Sequence, residues 1–226
     1  MFGASGYAGA ELMRLAAGHP QLEVVAATAD SQAGGLLGDL YPSLAAAYPD
    51  LVLAGTDPSV ADGVDVVFLA LPHGASQHLV PELRSRAGLI VDLAADFRLR
   101  DPSLYPLWYG EEHHCPDLLG QAVYGIPELF REDLKDASLV AAAGCYPTAA
   151  SLALAPLLRG GLIRPEGVIV DAASGVSGAG RVPKANTHFN AVDEDFTAYG
   201  LLNHRHTPEM EPVSYTHLTL PTILRV

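Results

Sequence analysis

Short, almost wholly apolar runs separated by helix-forming stretches constrain the fold of this chain more than any other feature. Asp65-Val-Val-Phe-Leu-Ala-Leu71, Gly88-Leu-Ile-Val-Asp-Leu93 and Ser138-Leu-Val-Ala-Ala-Ala143 are too short for buried helices. They lack the alternation of a half-solvated strand, and so read as parallel strands covered on both faces. Leu22–Thr28 and Gly167–Ala172 are further strand candidates, and His73 to Ser85 is a helical stretch between two runs. Strands alternating with helices predict an α/β, Rossmann-type doubly wound parallel sheet.

Ahead of these runs lies Met-Phe-Gly3-Ala-Ser5-Gly6-Tyr7-Ala-Gly9, which leads into a helical segment. Glycines at this spacing let backbone approach a pyrophosphate, which the helix N-terminus then attracts. Such a turn should follow a buried strand, and only two residues precede it. The first strand is therefore expected to be missing, with those two residues unable to replace it. The segment after Thr28 carries Asp30, Ser31 and Gln32, at the position where a dinucleotide's ribose would be read.

The run at 138–143 is followed by Gly144-Cys145-Tyr-Pro-Thr148 and then by a stretch rich in helix formers. Strand, glycine, cysteine and helix place the thiol at a helix N-terminus, where unpaired N–H groups favour the thiolate. On local sequence alone a buried structural cysteine fits equally well. Asn203-His204-Arg205-His206-Thr-Pro-Glu209 offers two histidines beside charged groups, suited to acid–base work or to a solvated loop. On an extended segment the two rings would face opposite ways, and only one would reach Cys145. Ser174-Gly175-Val-Ser177-Gly178-Ala-Gly-Arg181 is either a ligand-wrapping loop or a linker. His113 and His114 lack a second ligand pair at a useful spacing, so no metal is expected.

A formal charge of −13 argues against nucleic acid and anionic membrane as partners. Two distant cysteines, Cys115 and Cys145, make no disulfide framework and suit a reducing, cytoplasmic setting. Neither a transmembrane run nor a signal peptide is legible. The segment Val213–Val226 breaks with the preceding pattern and reads as a non-native tail resembling translated adapter sequence.

Taken together, the motifs resemble the N-acetyl-gamma-glutamyl-phosphate reductase family of the aspartate-semialdehyde dehydrogenase superfamily. The match is carried by Gly3–Leu12, Leu71-Pro-His-Gly74, Asp92-Leu-Ala-Ala-Asp-Phe-Arg98, Tyr124-Gly-Ile-Pro-Glu128, Gly144–Thr148, Ser174–Arg181 and His204–Glu209, in the family's order. The resemblance implies a Rossmann domain over residues 1–147, a truncated catalytic and dimerisation domain over 148–212, and a longer parent chain forming a homo-oligomer. It implies reduction of a small acyl phosphate to a semialdehyde in arginine biosynthesis, with Cys145 as nucleophile and His206 or His204 as acid–base. NADP is the implied cofactor, with NAD the lesser choice because Asp30 is acidic. Gly3, Ser5, Gly6, Tyr7, Gly9, Asp30, Ser31, Ser174, Gly175, Ser177 and Gly178 would hold it. Arg98, Arg181 and Arg205 would bind substrate. The alternatives are an aspartate-semialdehyde dehydrogenase, a Cys–His hydrolase without nicotinamide, and a non-catalytic dinucleotide-binding module.

Overall fold

The computed structural model describes residues 1–164, 168–201, 203–213 and 223–225. Its helices are α1 (Tyr7–Ala17), α2 (Leu37–Leu40), α3 (Ser76–Leu83), α4 (Leu104–Tyr109), α5 (Pro127–Leu134), α6 (Cys145–Arg159), α7 (Phe189–Val192) and α8 (Thr207–Val213). Its strands are β1 (Val66–Leu69), β2 (Leu89–Asp92), β3 (Val123–Gly125), β4 (Leu139–Ala142), β5 (Ile169–Asp171) and β6 (Ile223–Arg225).

The main sheet runs β1-β2-β4-β3, and every pairing in it is parallel. Isolated parallel bridges extend it beyond β1, joining Phe2 to Leu69 and Thr28 to Ala54. In chain order the sheet starts near its middle. It grows one way through residues 26–29 and 54, and the other way through β1, β2, β4 and β3. The turn at Gly3 and the residues after β1 therefore flank the point where the winding reverses. Ligands of doubly wound sheets bind there.

Met1 and Phe2 do pair, contrary to the expectation that they could not act as a strand. Phe2 donates to Phe68 O at 2.8 Å and accepts from Ala70 N–H at 2.9 Å, while Thr28 N–H donates to Met1 O at 2.8 Å. Phe2 is buried among Val67, Leu69, Ile90 and Leu139 in the larger core cluster. Its burial gives two residues enough apolar contact to hold a central position. The segment Leu22–Thr28 is less regular than expected. Leu22 and Val25 are exposed, and only its end is buried.

β1 and β2 bury alternate residues completely and half-bury the others. A second cluster packs Met13 of α1 against Ala27, Leu37 and Leu53. Beyond α6 the chain is more open: Ile169 of β5 is 60% exposed and Phe196 is 87% exposed. β5 pairs in parallel with β6, three residues of the segment that reads as a non-native tail, whose residues 214–222 and 226 lie outside the described residues. Among the described residues no helix is long and apolar enough to cross a membrane.

Candidate active site

β4 ends at Ala142, and Gly144 caps α6 in an extended conformation, so the first helical residue is Cys145. The Thr148 hydroxyl donates to Gly144 O at 2.8 Å and fixes the first turn. A Cβ on Gly144 would run into the His206 ring and Arg98 Nη1. Close approach, rather than chain flexibility, therefore explains this glycine. Cys145 is exposed, so it is a reachable thiol and not a packing cysteine.

Cys145 Sγ lies 4.0 Å from His206 Nε2. The bond to His206 draws the thiol's pKa below its usual range, and the N–H groups of Tyr146 and Cys145 itself add to this. Burial pushes His206 down, but its bonds to Cys145 and Glu209 outweigh that and raise it overall. The two shifts favour a thiolate–imidazolium pair.

Glu209 of α8 joins the site together. Its Oε2 lies 2.8 Å from His206 Nδ1 and accepts from Arg98 Nη1 at 3.4 Å. Its Oε1 accepts from the Tyr124 hydroxyl at 2.7 Å and from Gly144 N–H at 2.6 Å. Burial pushes this carboxyl up, yet His206, Arg98 and the Gly144 N–H together hold it below the usual carboxylate range. Burial and the adjoining Glu209 raise the Tyr124 phenol, keeping it a proton donor.

Arg98 differs from its expected role at the substrate. Its Nε donates to Ala142 O and its Nη2 to Leu93 O, each at 2.8 Å, while Nη1 faces Glu209. Its side chain is nearly buried. Arg98 thus fastens Glu209 to the ends of β2 and β4. The two histidines do not point apart either, because residues 204–206 form a turn and not a strand. Their ring centroids lie 5.1 Å apart, and both rings meet Tyr146 edge-on. His204 Nδ1 accepts from His206 N–H at 3.2 Å. Burial first, then the adjacent His206 and Arg205, lowers His204 to about 4 and keeps it neutral. Arg205 is exposed, and its carbonyl accepts from the Tyr109 hydroxyl at 3.3 Å.

The dinucleotide turn is shaped by close packing. Gly3 has φ +81° and a Cβ there would strike the Ala70 carbonyl, while one on Gly9 would strike the Gly3 carbonyl. A Cβ on Gly6 would meet Gly3 O at 3.6 Å, an ordinary contact distance. A cradle that tolerates backbone but leaves the helix N-terminus free fits a dinucleotide pyrophosphate. Tyr7 is exposed, and the Ser5 carbonyl accepts from the Tyr41 hydroxyl at 2.8 Å. Asp30 and Ser31 are exposed just beyond Ala29, whose N–H donates to Ala54 O. The Ser174–Gly178 loop is exposed and enters a 3₁₀ turn over Val176–Ala179, with Ser174 Oγ donating to Gly175 O. Arg181 lies at the glycine turn, donating to Ser5 O at 3.3 Å.

The sequence reading gives Tyr124 and Tyr146 no role and Arg98 a place at the substrate, although all three lie inside the motifs that carry the resemblance. Tyr124 and Arg98 reach Glu209 across 85 and 111 residues, separations that no local pattern encodes. A second polar cluster lies after β1. There His73 Nδ1 approaches Asp96 Oδ1 at 2.7 Å, and Asp96 accepts from the N–H groups of Gly74 and Gln77. His113 Nε2 bonds Asp96 O at 2.7 Å, and Cys115 Sγ donates to Gln77 O at 3.3 Å. These bonds pin the long loop to α3.

Fold and site together define an α/β protein with a dinucleotide-type glycine turn and, at a helix N-terminus, an exposed cysteine beside a histidine. Comparison with known proteins makes this specific. A family model described as the semialdehyde dehydrogenase NAD-binding domain matches residues 1–137, and one described as its dimerisation domain matches residues 145–219. The chain belongs to the semialdehyde dehydrogenase family. It is 50% identical over 210 residues to an N-acetyl-gamma-glutamyl-phosphate reductase of Symbiobacterium thermophilum, covering 92% of this chain and 60% of that one. It is 46% identical over 209 residues to the reductase of Cellvibrio japonicus, with the same coverages. The chain thus spans 60% of the length of these relatives. A crystal structure of aspartate semialdehyde dehydrogenase with NADP from Candida albicans shares the fold, with TM-score 0.50 and 18% identity. That similarity covers 70% of this chain and 46% of that one.

Proposed function

We propose that the full-length protein reduces N-acetyl-glutamyl 5-phosphate to the 5-semialdehyde, releasing phosphate, as a step of arginine biosynthesis. The observation that carries this is the Cys145–His206–Glu209 relay at the start of α6, in a chain with the reductases' motifs. The Cys145 thiolate attacks the acyl carbon, and the C–O bond to phosphate breaks to leave a thioester. His206 gives its proton to the departing phosphate. Cys145 and Tyr146 N–H groups at the helix N-terminus stabilise the developing oxyanion. A bound nicotinamide cofactor supplies the hydride that reduces the thioester. Collapse of the resulting thiohemiacetal anion breaks the C–S bond, frees the aldehyde and restores the thiolate. His206 then takes up a proton from solvent. His204 stays neutral and supports the His206 backbone.

NADPH is the proposed cofactor, with Ser31 and Gln32 available to the 2′-phosphate. Asp30 is the residue that would favour NADH. Arg205 is the proposed contact for substrate. The match to a dimerisation domain and the exposed Ile169 and Phe196 support a homo-oligomer. The test is turnover of the full-length protein on N-acetyl-glutamyl phosphate and on aspartyl phosphate with each nucleotide. Preference for the first substrate with NADPH is expected. Preference for aspartyl phosphate would make the enzyme an aspartate-semialdehyde dehydrogenase, and preference for NADH would reverse the cofactor assignment.

A further inference from the structure

Arg181 sits at the glycine turn. It follows the Ser174–Gly180 loop of the chain's second half, yet its Nη1 reaches back 176 positions in sequence to the Ser5 carbonyl. The Tyr41 hydroxyl donates to that same carbonyl, and the guanidinium carbon lies 5.7 Å from the centre of the Tyr41 ring. Two separate segments, those of Arg181 and Tyr41, therefore converge on one peptide of the Gly3–Gly9 turn. The Tyr41 ring offers the guanidinium a cation–π contact.

A carbonyl oxygen uses only one of five guanidinium N–H donors. Among the described residues, Arg181 belongs to none of the ion pairs. Arg181 itself is exposed. A chain of net charge −13 repels a polyanionic nucleotide, so a cation placed here has a physical use.

We propose that Arg181 is a clasp that binds the dinucleotide's pyrophosphate from above the glycine turn, joining the chain's second half to the cofactor. The fork geometry suits two phosphate oxygens. Its station at Ser5 is the phosphate turn. The ribose end of the crevice is marked instead by Asp30 and Ser31, after the Thr28–Ala54 bridge. The proposal rests on the dinucleotide reading of the site and adds to it the residue that holds the phosphates.

The experiment is calorimetric titration of the full-length protein with NADPH, NADH and ADP, for wild type, Arg181→Ala and Arg181→Lys. Loss of a charge-assisted bond should weaken all three ligands about tenfold to hundredfold in Arg181→Ala. Arg181→Lys should recover part of the loss, and the salt dependence of binding should become shallower. The KM for acyl phosphate, at saturating cofactor, should stay unchanged. Unaltered nucleotide affinity in a folded Arg181→Ala protein overturns the clasp while leaving the dinucleotide site standing. A loss confined to NADPH would move Arg181 to the 2′-phosphate and overturn it equally. Wild type that binds none of the three would overturn the dinucleotide site and the clasp together.

Discussion

Replacing Glu209 by Gln removes one charge from the centre of the site and keeps the side chain's shape. The carboxylate takes bonds from His206, Tyr124 and Gly144 at 2.8, 2.7 and 2.6 Å, with Arg98 at 3.4 Å. A hydrogen bond to a charged group contributes about 1.5–3 kcal/mol, and one pKa unit corresponds to about 1.4 kcal/mol. Loss of that support should lower the His206 pKa. The imidazolium that holds the Cys145 thiolate then titrates away at lower pH. Its partner thiol, deprived of the cation, titrates at higher pH. The thiolate–imidazolium pair exists between the thiol's pKa and the imidazole's. Glu209→Gln should therefore narrow that window from both sides, lowering kcat/KM about tenfold to hundredfold near neutrality. The assay is the pH dependence of Cys145 alkylation by iodoacetamide, followed beside kcat/KM and thermal unfolding. Arg98 keeps its bonds to Ala142 O and Leu93 O, so the variant should fold. A folded Glu209→Gln protein with an unmoved alkylation profile would refute the reasoning. It would reduce Glu209 to a structural anchor.

His206→Asn should cost roughly 10²–10⁴-fold in turnover, the usual contribution of a general acid–base. His204→Asn should cost far less, because the Nδ1 acceptor for His206 N–H survives as an amide oxygen; equal losses in steady-state assays would contradict this. Burial raises Cys115 to about 11, so iodoacetamide at neutral pH should label Cys145 alone, as peptide mass spectrometry would show. Labelling of Cys115 first would contradict the burial argument. Burial lifts the fully enclosed Asp92 to about 7. Its penalty is absent below the unfolded value, grows as pH rises towards 7 and is complete above it. Asp92→Asn should therefore raise the melting temperature more at pH 8 than at pH 5. A gain that did not depend on pH would show that Asp92 is not held against ionisation.

The apolar runs at 65–71, 88–93 and 138–143 were legible because a parallel strand needs little beyond a short apolar sequence. The structure forms β1, β2 and β4 within them. The helix after Cys145 was legible for a similar local reason. Leu22–Thr28 is less legible because its pairing depends on a neighbour only two residues long, and the place of Met1–Phe2 in the sheet is hidden for the same reason. Proximity in the site was less accessible. The sequence shows His204 and His206 two residues apart, but whether their rings diverge depends on the turn that Thr207 and α8 impose. The resemblance gives Arg98 to substrate, and only the fold brings the ends of β2 and β4 to its nitrogens. Arg181 offers a guanidinium in a glycine-rich loop, with nothing local to say which phosphate or carboxylate it faces.

Covalent catalysis by Cys145 is tested most directly by offering the full-length protein N-acetyl-glutamyl phosphate without nucleotide. One phosphate per active site should be released in a burst, and the peptide spanning Cys145 should gain the mass of the N-acetyl-glutamyl group. Adding NADPH should then discharge the label as aldehyde. Phosphate release that waits for NADPH, with no acyl mass on Cys145, would contradict the thioester and the site built around it.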